Sequence, residues 1–401
     1  MLEIRVLKPE EHLEYSAICQ NVFFDNEPRD IRKMRENPLE HAQKDDCVRI
    51  GVFGDKGRLE SAMSIIPYTM RMNNHESKMA GIGGVVTLPE ARSRGHVKKI
   101  MEASFPIMRE AGQDYSFLFP FSYAYYRHFG YEICLSLNRV KLPVSLFRDY
   151  PYPLFFEPYE PGDSATPIAE VYADFAGKRN LSIIRGDKDW ERILKRDPYQ
   201  NREFTYVHYT SDGQADAYIL YDAVRDRERG NRIMIKECCW KTPRALHGIF
   251  GFIGKLGAEF QHVCWDVPSD INIHALFREC YEMEWTVASS GMNRIVNVGV
   301  AMSNLRAPTG SGSVVIKVND AFLPDNSGVY AIQWEGGRLT SVKGQESAAD
   351  LETSVETLTQ LATGFITPAE AVNKKDTVVH SRFNLLSALF PKQPIYMYER
   401  F

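Results

Sequence analysis

The sequence predicts an α+β chain: two mixed-sheet units followed by a smaller α+β unit. Three observations carry this. The chain has 401 residues, too many for one ordinary core. Strand-like runs, one long amphipathic helix and a further strand occur in that order twice. The last part holds strand-like runs around a Gly336-Gly337 turn and then short helices.

The elements follow in order. Residues 3–7 alternate Glu-Ile-Arg-Val-Leu and predict a first strand. Pro9 to Phe24 predicts a helix, with proline at its tolerated start. Cys47–Phe53 and Leu59–Tyr68 predict two strands around the Gly54-Asp55-Lys56-Gly57 turn. Met79–Leu88 is a third strand, broken by Gly81, Gly83 and Gly84. Glycine inside a strand marks a bulge or a close approach of another group. Val97, Ile100, Met101, Phe105 and Met108 recur at helical spacing, and Pro106 predicts a kink or an end there. Tyr115–Phe119 is a short strand and Tyr131–Leu142 another.

Pro143–Pro167 is rich in proline and reads as a crossing segment. Helices are predicted over Ile168–Arg179 and Trp190–Arg196. Phe204–Tyr209, Ala215–Tyr221 and Arg232–Trp240 follow as strands. Pro243–Phe260 is the second long helix, and Val263–Val267 the strand after it. Asn293–Val298, Ser313–Asn319, Val329–Trp334 and Arg338–Val342 are strand-like. Ser354–Thr363, Pro368–Val372 and Ser381–Leu389 are helical. The tail Pro394-Ile395-Tyr396-Met397-Tyr398-Glu399-Arg400-Phe401 is too apolar to hang in water. It is expected to pack, which gives the terminal carboxylate a defined place.

Composition excludes several classes. The net charge of −4 gives no bulk attraction to nucleic acid. No apolar run approaches about 18 residues, so no membrane span is expected. The seven cysteines form no CxxC pair, which predicts a reduced, cytoplasmic thiol set and no metal. Cys238 and Cys239 are adjacent and should point to opposite faces of a strand.

The chemistry centres on Met79 to Met108. A strand feeds an Arg92-Ser93-Arg94-Gly95 turn, and the turn opens a helix. The first helical N–H groups have no intrahelical partner, and the helix dipole adds positive potential there. This is a place for a phosphate. A GxxxxGK[ST] loop is absent, and the glycines precede the apolar Val85-Val86 run instead of opening the helix, which excludes two named phosphate motifs.

The order Val85-Val86-Thr87-Leu88-Pro89, then Arg92-x-x-Gly95-x-Val97, then helix resembles the pyrophosphate loop of the GNAT acyltransferases. Their usual form is Arg/Gln-x-x-Gly-x-Gly/Ala, and Val97 stands where the last small residue would be. Tyr125-Tyr126-Arg127-His128-Phe129-Gly130-Tyr131 resembles the Tyr-x-Arg/His-Phe-Gly-Tyr segment of the Eis-like (enhanced intracellular survival) branch. That branch ends in an aromatic residue, as this chain ends in Phe401. Residues 294–298 through 318–326 resemble its sterol-carrier-like domain.

The resemblance implies three domains: a GNAT acetyl-CoA-binding catalytic domain over 1–145, a second, degenerate GNAT-like domain over 146–290, and a sterol-carrier-like domain over 291–401. It implies acetyl-CoA as co-substrate. Val85, Val86 and Thr87 would lie along its pantetheine arm. Arg92, Ser93, Arg94, Gly95, His96 and Val97 would hold its pyrophosphate. Tyr126 would be the general acid and the Phe401 carboxylate the base. The acceptor would be a primary amine, aminoglycoside-like or lysine-like, on a small molecule or peptide. A homo-oligomer, commonly a hexamer, is implied as well. Lys241-Thr242-Pro243-Arg244 precedes the second long helix in place of an Arg-x-x-Gly turn, so no CoA is expected there. An alternative is a non-catalytic acetyl-CoA- or lipid-binding regulatory protein, and a nearer rival transfers longer acyl groups.

Overall fold

A computed structural model describes residues 2–23, 31–36, 45–151, 156–226, 228, 230–344 and 348–401. The first unit runs β1 (Glu3–Val6), α1 (His12–Val22), α2 (Ile31–Met34), β2 (Val48–Phe53), β3 (Leu59–Met72), β4 (His75–Thr87), α3 (His96–Glu110), β5 (Tyr115–Leu118), α4 (Tyr123–Arg127) and β6 (Glu132–Ile133). β3 and β4 form a long hairpin closed between Met72 and His75. Asn73 and Asn74 make its two-residue loop, both at positive φ (52° and 67°). That is the turn whose twist suits a hairpin, and asparagine tolerates it.

The second unit runs β7 (Ser136–Pro143), β8 (Phe156–Pro158), α5 (Thr166–Ala176), α6 (Asp187–Leu194), β9 (Glu203–Tyr209), β10 (Ala215–Val224), β11 (Arg232–Trp240), α7 (Pro243–Lys255), β12 (His262–Val267) and β13 (Glu284–Ser289). The rest is β14 (Met292–Ile295), α8 (Val298–Ser303), β15 (Ser311–Asn319), β16 (Gly328–Glu335), β17 (Arg338–Gly344), β18 (Leu351–Ser354), α9 (Val355–Thr363), α10 (Pro368–Ala371), β19 (Val378–Val379) and α11 (Phe383–Leu389).

Three sheets result, ordered β1-β2-β3-β4-β5-β14-β6, β13-β7-β12-β11-β10-β9-β8 and β17-β16-β15-β18-β19. Two expectations change here. Tyr131–Leu142 is not one strand: β6 belongs to the first sheet and β7 to the second. The sheets also interlock across 145 and 290, because β14 returns to the first sheet between β5 and β6. The two crossings bind each other, with Cys134 N–H donating to Gly291 C=O and Ser290 N–H to Leu135 C=O. Each crossing thus satisfies backbone groups that would otherwise be buried alone.

Pro106 neither ends nor visibly interrupts α3, which continues to Glu110. Ile100, Met101, Phe105 and Met108 are buried on the sheet, and that packing outweighs one missing donor. Cys238 and Cys239 do face opposite ways. Cys238 joins the cluster under α7 with Ile249, and Cys239 the cluster under α5 with Phe175.

The third sheet shares its core with the first. Val314, Ile316, Ile332 and Trp334 pack in one cluster with Met70, Met79, Tyr115 and the Leu358 and Leu361 face of α9. The Trp334 ring rests on Gly312, where a Cβ would overlap it. These side chains fill the space between the two sheets. No helix among the described residues is long and apolar enough to cross a membrane.

Candidate active site

β4 parts from its neighbour at the centre of the first sheet. Its parallel pairing with β5 runs from Met79↔Tyr115 to Ile82↔Leu118 and stops, while β4 continues to Thr87. On its other edge, Ala62 faces Val86 and Ser64 faces Gly83, so Met63 alone opposes Gly84 and Val85. This is a β-bulge, and it turns the end of β4 away from β5. Gly84 sits in it at φ +56°, and a Cβ there would overlap the Tyr15 hydroxyl. Tyr15 donates to Gly84 C=O at 3.2 Å and accepts from Ser64 Oγ at 2.9 Å. Two residues that the sequence did not single out, Tyr15 and Ser64, therefore hold the bulge.

The backbone of the parted strand faces two ways. Leu88 N–H donates to Glu60 C=O on the β3 side. By the alternation of an antiparallel ladder, the Thr87 groups face the opening. Thr87 C=O takes the Arg92 Nε there at 3.4 Å. The Thr87 hydroxyl shares a hydrogen bond with Ser61 Oγ at 2.8 Å. Val86 is buried and Val85 half-buried beside the opening.

Arg92, Ser93, Arg94 and Gly95 are exposed in the loop beyond. Ser93 and Gly95 are left-handed, at φ 61° and 75°. Nothing would crowd a Cβ on Gly95, so glycine serves the backbone angle there. Gly95 caps α3 without a side-chain bond. The N–H groups of His96, Val97 and Lys98 thus open the helix with no intrahelical acceptor, as a pyrophosphate requires. The His96 side chain does not share in this. It is buried, with Nδ1 3.7 Å from Glu60 Oε2, and burial lowers its pKa. What His96 presents to the loop is its backbone.

Tyr126 lies on the short helix α4, whose start is capped by Ser122 Oγ accepting from Tyr125 N–H at 3.3 Å. Its ring is buried among Phe121, Tyr125, Phe129 and Tyr131. Desolvation raises its pKa, so the phenol keeps its proton at neutral pH. Beside it, Arg294 is fully buried and donates to Phe129 C=O and to Asp320 Oδ2 at 2.6 Å.

Phe401 reaches the same strand from the far end of the chain. A Cβ on Gly81 would come within 2.9 Å of its ring, and one on Gly83 within 3.2 Å of its carboxyl carbon. The glycines two apart form a bare face on which the last residue lies, ring over Gly81 and carboxylate over Gly83. Tyr68, Phe117 and Phe119 hold the ring at centroid distances of 5.1, 6.2 and 5.4 Å. A cavity of about 370 Å³ opens here between α1, Asp45, Arg49 and Phe401. Asp45 is paired with Arg49 at 2.6 Å. By residue type, Phe23, Phe24, Asp25 and Glu399 suit a pocket for a cationic amine; Phe24 and Asp25 lie outside the described residues, and Phe23 is exposed. The fourth, Glu399, is buried on Arg185 at 2.7 Å.

Residues 3–134 and 181–295 each match a model of an acetyltransferase (GNAT) domain, and residues 298–398 match a sterol carrier protein domain. The chain therefore carries two GNAT acetyltransferase domains followed by a sterol carrier protein domain. No curated protein matches the sequence. Solved structures do match along the whole chain. A conserved protein of Enterococcus faecalis V583, described as a probable N-acyltransferase, is 22% identical with a TM-score of 0.86, covering 100% of both chains. A GCN5-related N-acetyltransferase from Anabaena variabilis ATCC 29413 is 19% identical, with a TM-score of 0.86 and the same coverage. Eis1 from Mycobacterium abscessus is 17% identical, with a TM-score of 0.81, again over 100% of both. At these identities the likeness is one of fold.

The second GNAT domain repeats the parting of strands but not the open helix. β11 pairs in parallel with β12 only from Arg232↔His262 to Ile235↔Trp265 and then continues to Trp240. Thr242 Oγ1 caps α7 by accepting from Ala245 N–H at 3.2 Å, and Pro243 removes one donor. The chain's own tail lies against the parted strand. Tyr396 OH donates to Glu237 Oε1 at 2.7 Å. Arg185 binds Glu237 at 2.8 Å and Glu399 at 2.7 Å, all three fully buried.

Proposed function

We propose that this chain transfers the acetyl group of acetyl-CoA to a primary amine within a ternary complex. The observation that carries the reading is the terminal carboxylate of Phe401 lying over Gly83, where β4 parts from β5. The pantetheine arm would run along Val85 to Thr87, and the pyrophosphate would sit at the start of α3, on the Arg92–Val97 loop. The Phe401 carboxylate takes a proton from the acceptor ammonium, directly or through water. The neutral nitrogen attacks the thioester carbon, whose oxygen is polarised by backbone N–H near Val85. The C–N bond forms and the C–S bond breaks. Tyr126, kept protonated by burial, gives its proton to the departing thiolate, and the nitrogen sheds its second proton through water to restore the phenol as the amide forms. The capped start of α7 supports a second domain that binds no CoA.

Tyr126→Phe should lower CoA-thiol release by about 10²–10⁴-fold. Deletion of Phe401 should also lower it strongly. Calorimetry should still find acetyl-CoA bound in both variants, at one site per chain. Undiminished release in both variants would sink the mechanism.

A further inference from the structure

A cavity of about 840 Å³ opens between the second sheet and the last residues of the chain. Glu399 and Arg400 line it, directly before Phe401. Seven Lys and Arg residues line it against five carboxylates, so its wall does not favour a polycation. Most of these charges are answered. Arg139 pairs with Asp266 at 3.1 Å, Lys141 with Glu284 at 2.6 Å, and Arg196 and Lys236 share Asp222.

Two groups directly before Phe401 keep unused hydrogen-bonding capacity. Arg400 forms no ion pair among the described residues. Its Nη1 lies 3.4 Å from Ser290 Oγ, and its guanidinium lies 4.6 Å from the centre of the Phe119 ring. That ring touches Phe401, so this cation stands one aromatic ring from the terminal residue. Glu399 is 2% exposed. Its Oε1 takes Arg185, but its buried Oε2 has no hydrogen-bond partner. A buried acceptor without a donor is costly, and native interiors rarely leave one. A guanidinium without a carboxylate presents a fork matched to a planar anion.

We propose that this cavity holds the far end of the acceptor, and that this end is an amino-carboxylate, its carboxylate on Arg400 and its N–H on Glu399 Oε2. The assignment rests on the acetyl-transfer reading for the amine that reacts at Phe401. The acceptor is then an amino acid or peptide end bearing a second amine, not an aminosugar with several positive charges.

Lysine, lysinamide and cadaverine test this, because they share the terminal amine and lose the carboxylate, then the whole head group. CoA-thiol release should give lysine a kcat/KM at least tenfold above lysinamide, with cadaverine lower still. Arg400→Gln should collapse the lysine-to-lysinamide ratio towards one while the melting temperature stays put. Calorimetry with lysine alone reads the site without turnover. Arg400-dependent lysine binding without CoA release would keep the site and remove the transfer reading. Equal release from lysine and lysinamide would keep transfer and overturn the site. Absence of both lysine binding and carboxylate preference would also overturn it, as would a ratio that Arg400→Gln leaves intact.

Discussion

At the scale of single residues, burial decides which groups hold protons. Tyr126 keeps its phenol proton at neutral pH because aromatic rings exclude water from it. Asp114, just before β5, is pushed up to about 6 by desolvation, against the lowering pull of Lys78. For a carboxyl whose folded pKa is raised, the stabilising term is fully present below the unfolded value near 3.8 and is lost as pH rises through about 6. Asp114→Asn should therefore stabilise the protein at pH 8, by about 1 kcal/mol once solvent screening of this half-buried group is allowed for. The gain should shrink as pH falls from 6 to 4. Melting temperatures of both proteins across that range check it, and a gain that grows on acidification would refute it.

At the scale of elements, the site depends on one irregular strand. β4 pairs with β5 for four positions, bulges at Gly84 and Val85, and ends with its Thr87 edge open. Glycine is required in the bulge for its positive φ and for the Tyr15 hydroxyl. Gly84→Ala should cost about 1–3 kcal/mol of stability and raise the KM for acetyl-CoA. Adding Tyr15→Phe should recover part of the loss, because the overlapping hydroxyl is gone, and the two changes should be non-additive. Full additivity in a double-mutant cycle would mean that Tyr15 does not shape the bulge. α3 shows the opposite case, a local irregularity without consequence: packing of its apolar face carries it through Pro106.

At the scale of the whole molecule, the tail joins the two GNAT sheets. It leaves the second domain on the Arg185, Glu237 and Tyr396 cluster and ends on Gly81 and Gly83 of the first. Removing one partner of a buried ion cluster leaves the others uncompensated. Arg185→Met should destabilise the protein by about 3–5 kcal/mol, seen as a lower denaturant midpoint. It should also reduce CoA release by loosening the path of residues 396–401. An unchanged midpoint would show that the cluster does not anchor the tail.

Much of this was legible in the chain itself. Period-two and period-3.6 patterns placed β2, β3 and β4, the long helices α3 and α7, β9 to β12 and β15 to β17, but not the short or exposed strands β8, β13, β18 and β19. The Arg92–Gly95 turn, the Tyr126 segment and the aromatic terminus were legible because their side-chain chemistry is local and distinctive. Gly81 and Gly83 also carried a signal, two bare positions on one face of a strand, but the sequence does not say what approaches them. Strand membership needed the tertiary structure. β7 and β14 read as ordinary strands, and only pairing with distant partners sends each to the other unit's sheet. The same holds for the inward turn of His96, the Tyr15 support under Gly84, and the buried cluster on Arg185. These are contacts between residues far apart in sequence, and no periodicity encodes a partner. The sequence by itself determined which side chains are candidates for the chemistry; the folded chain decided which meet, because burial and long-range pairing exist only once the sheets have assembled.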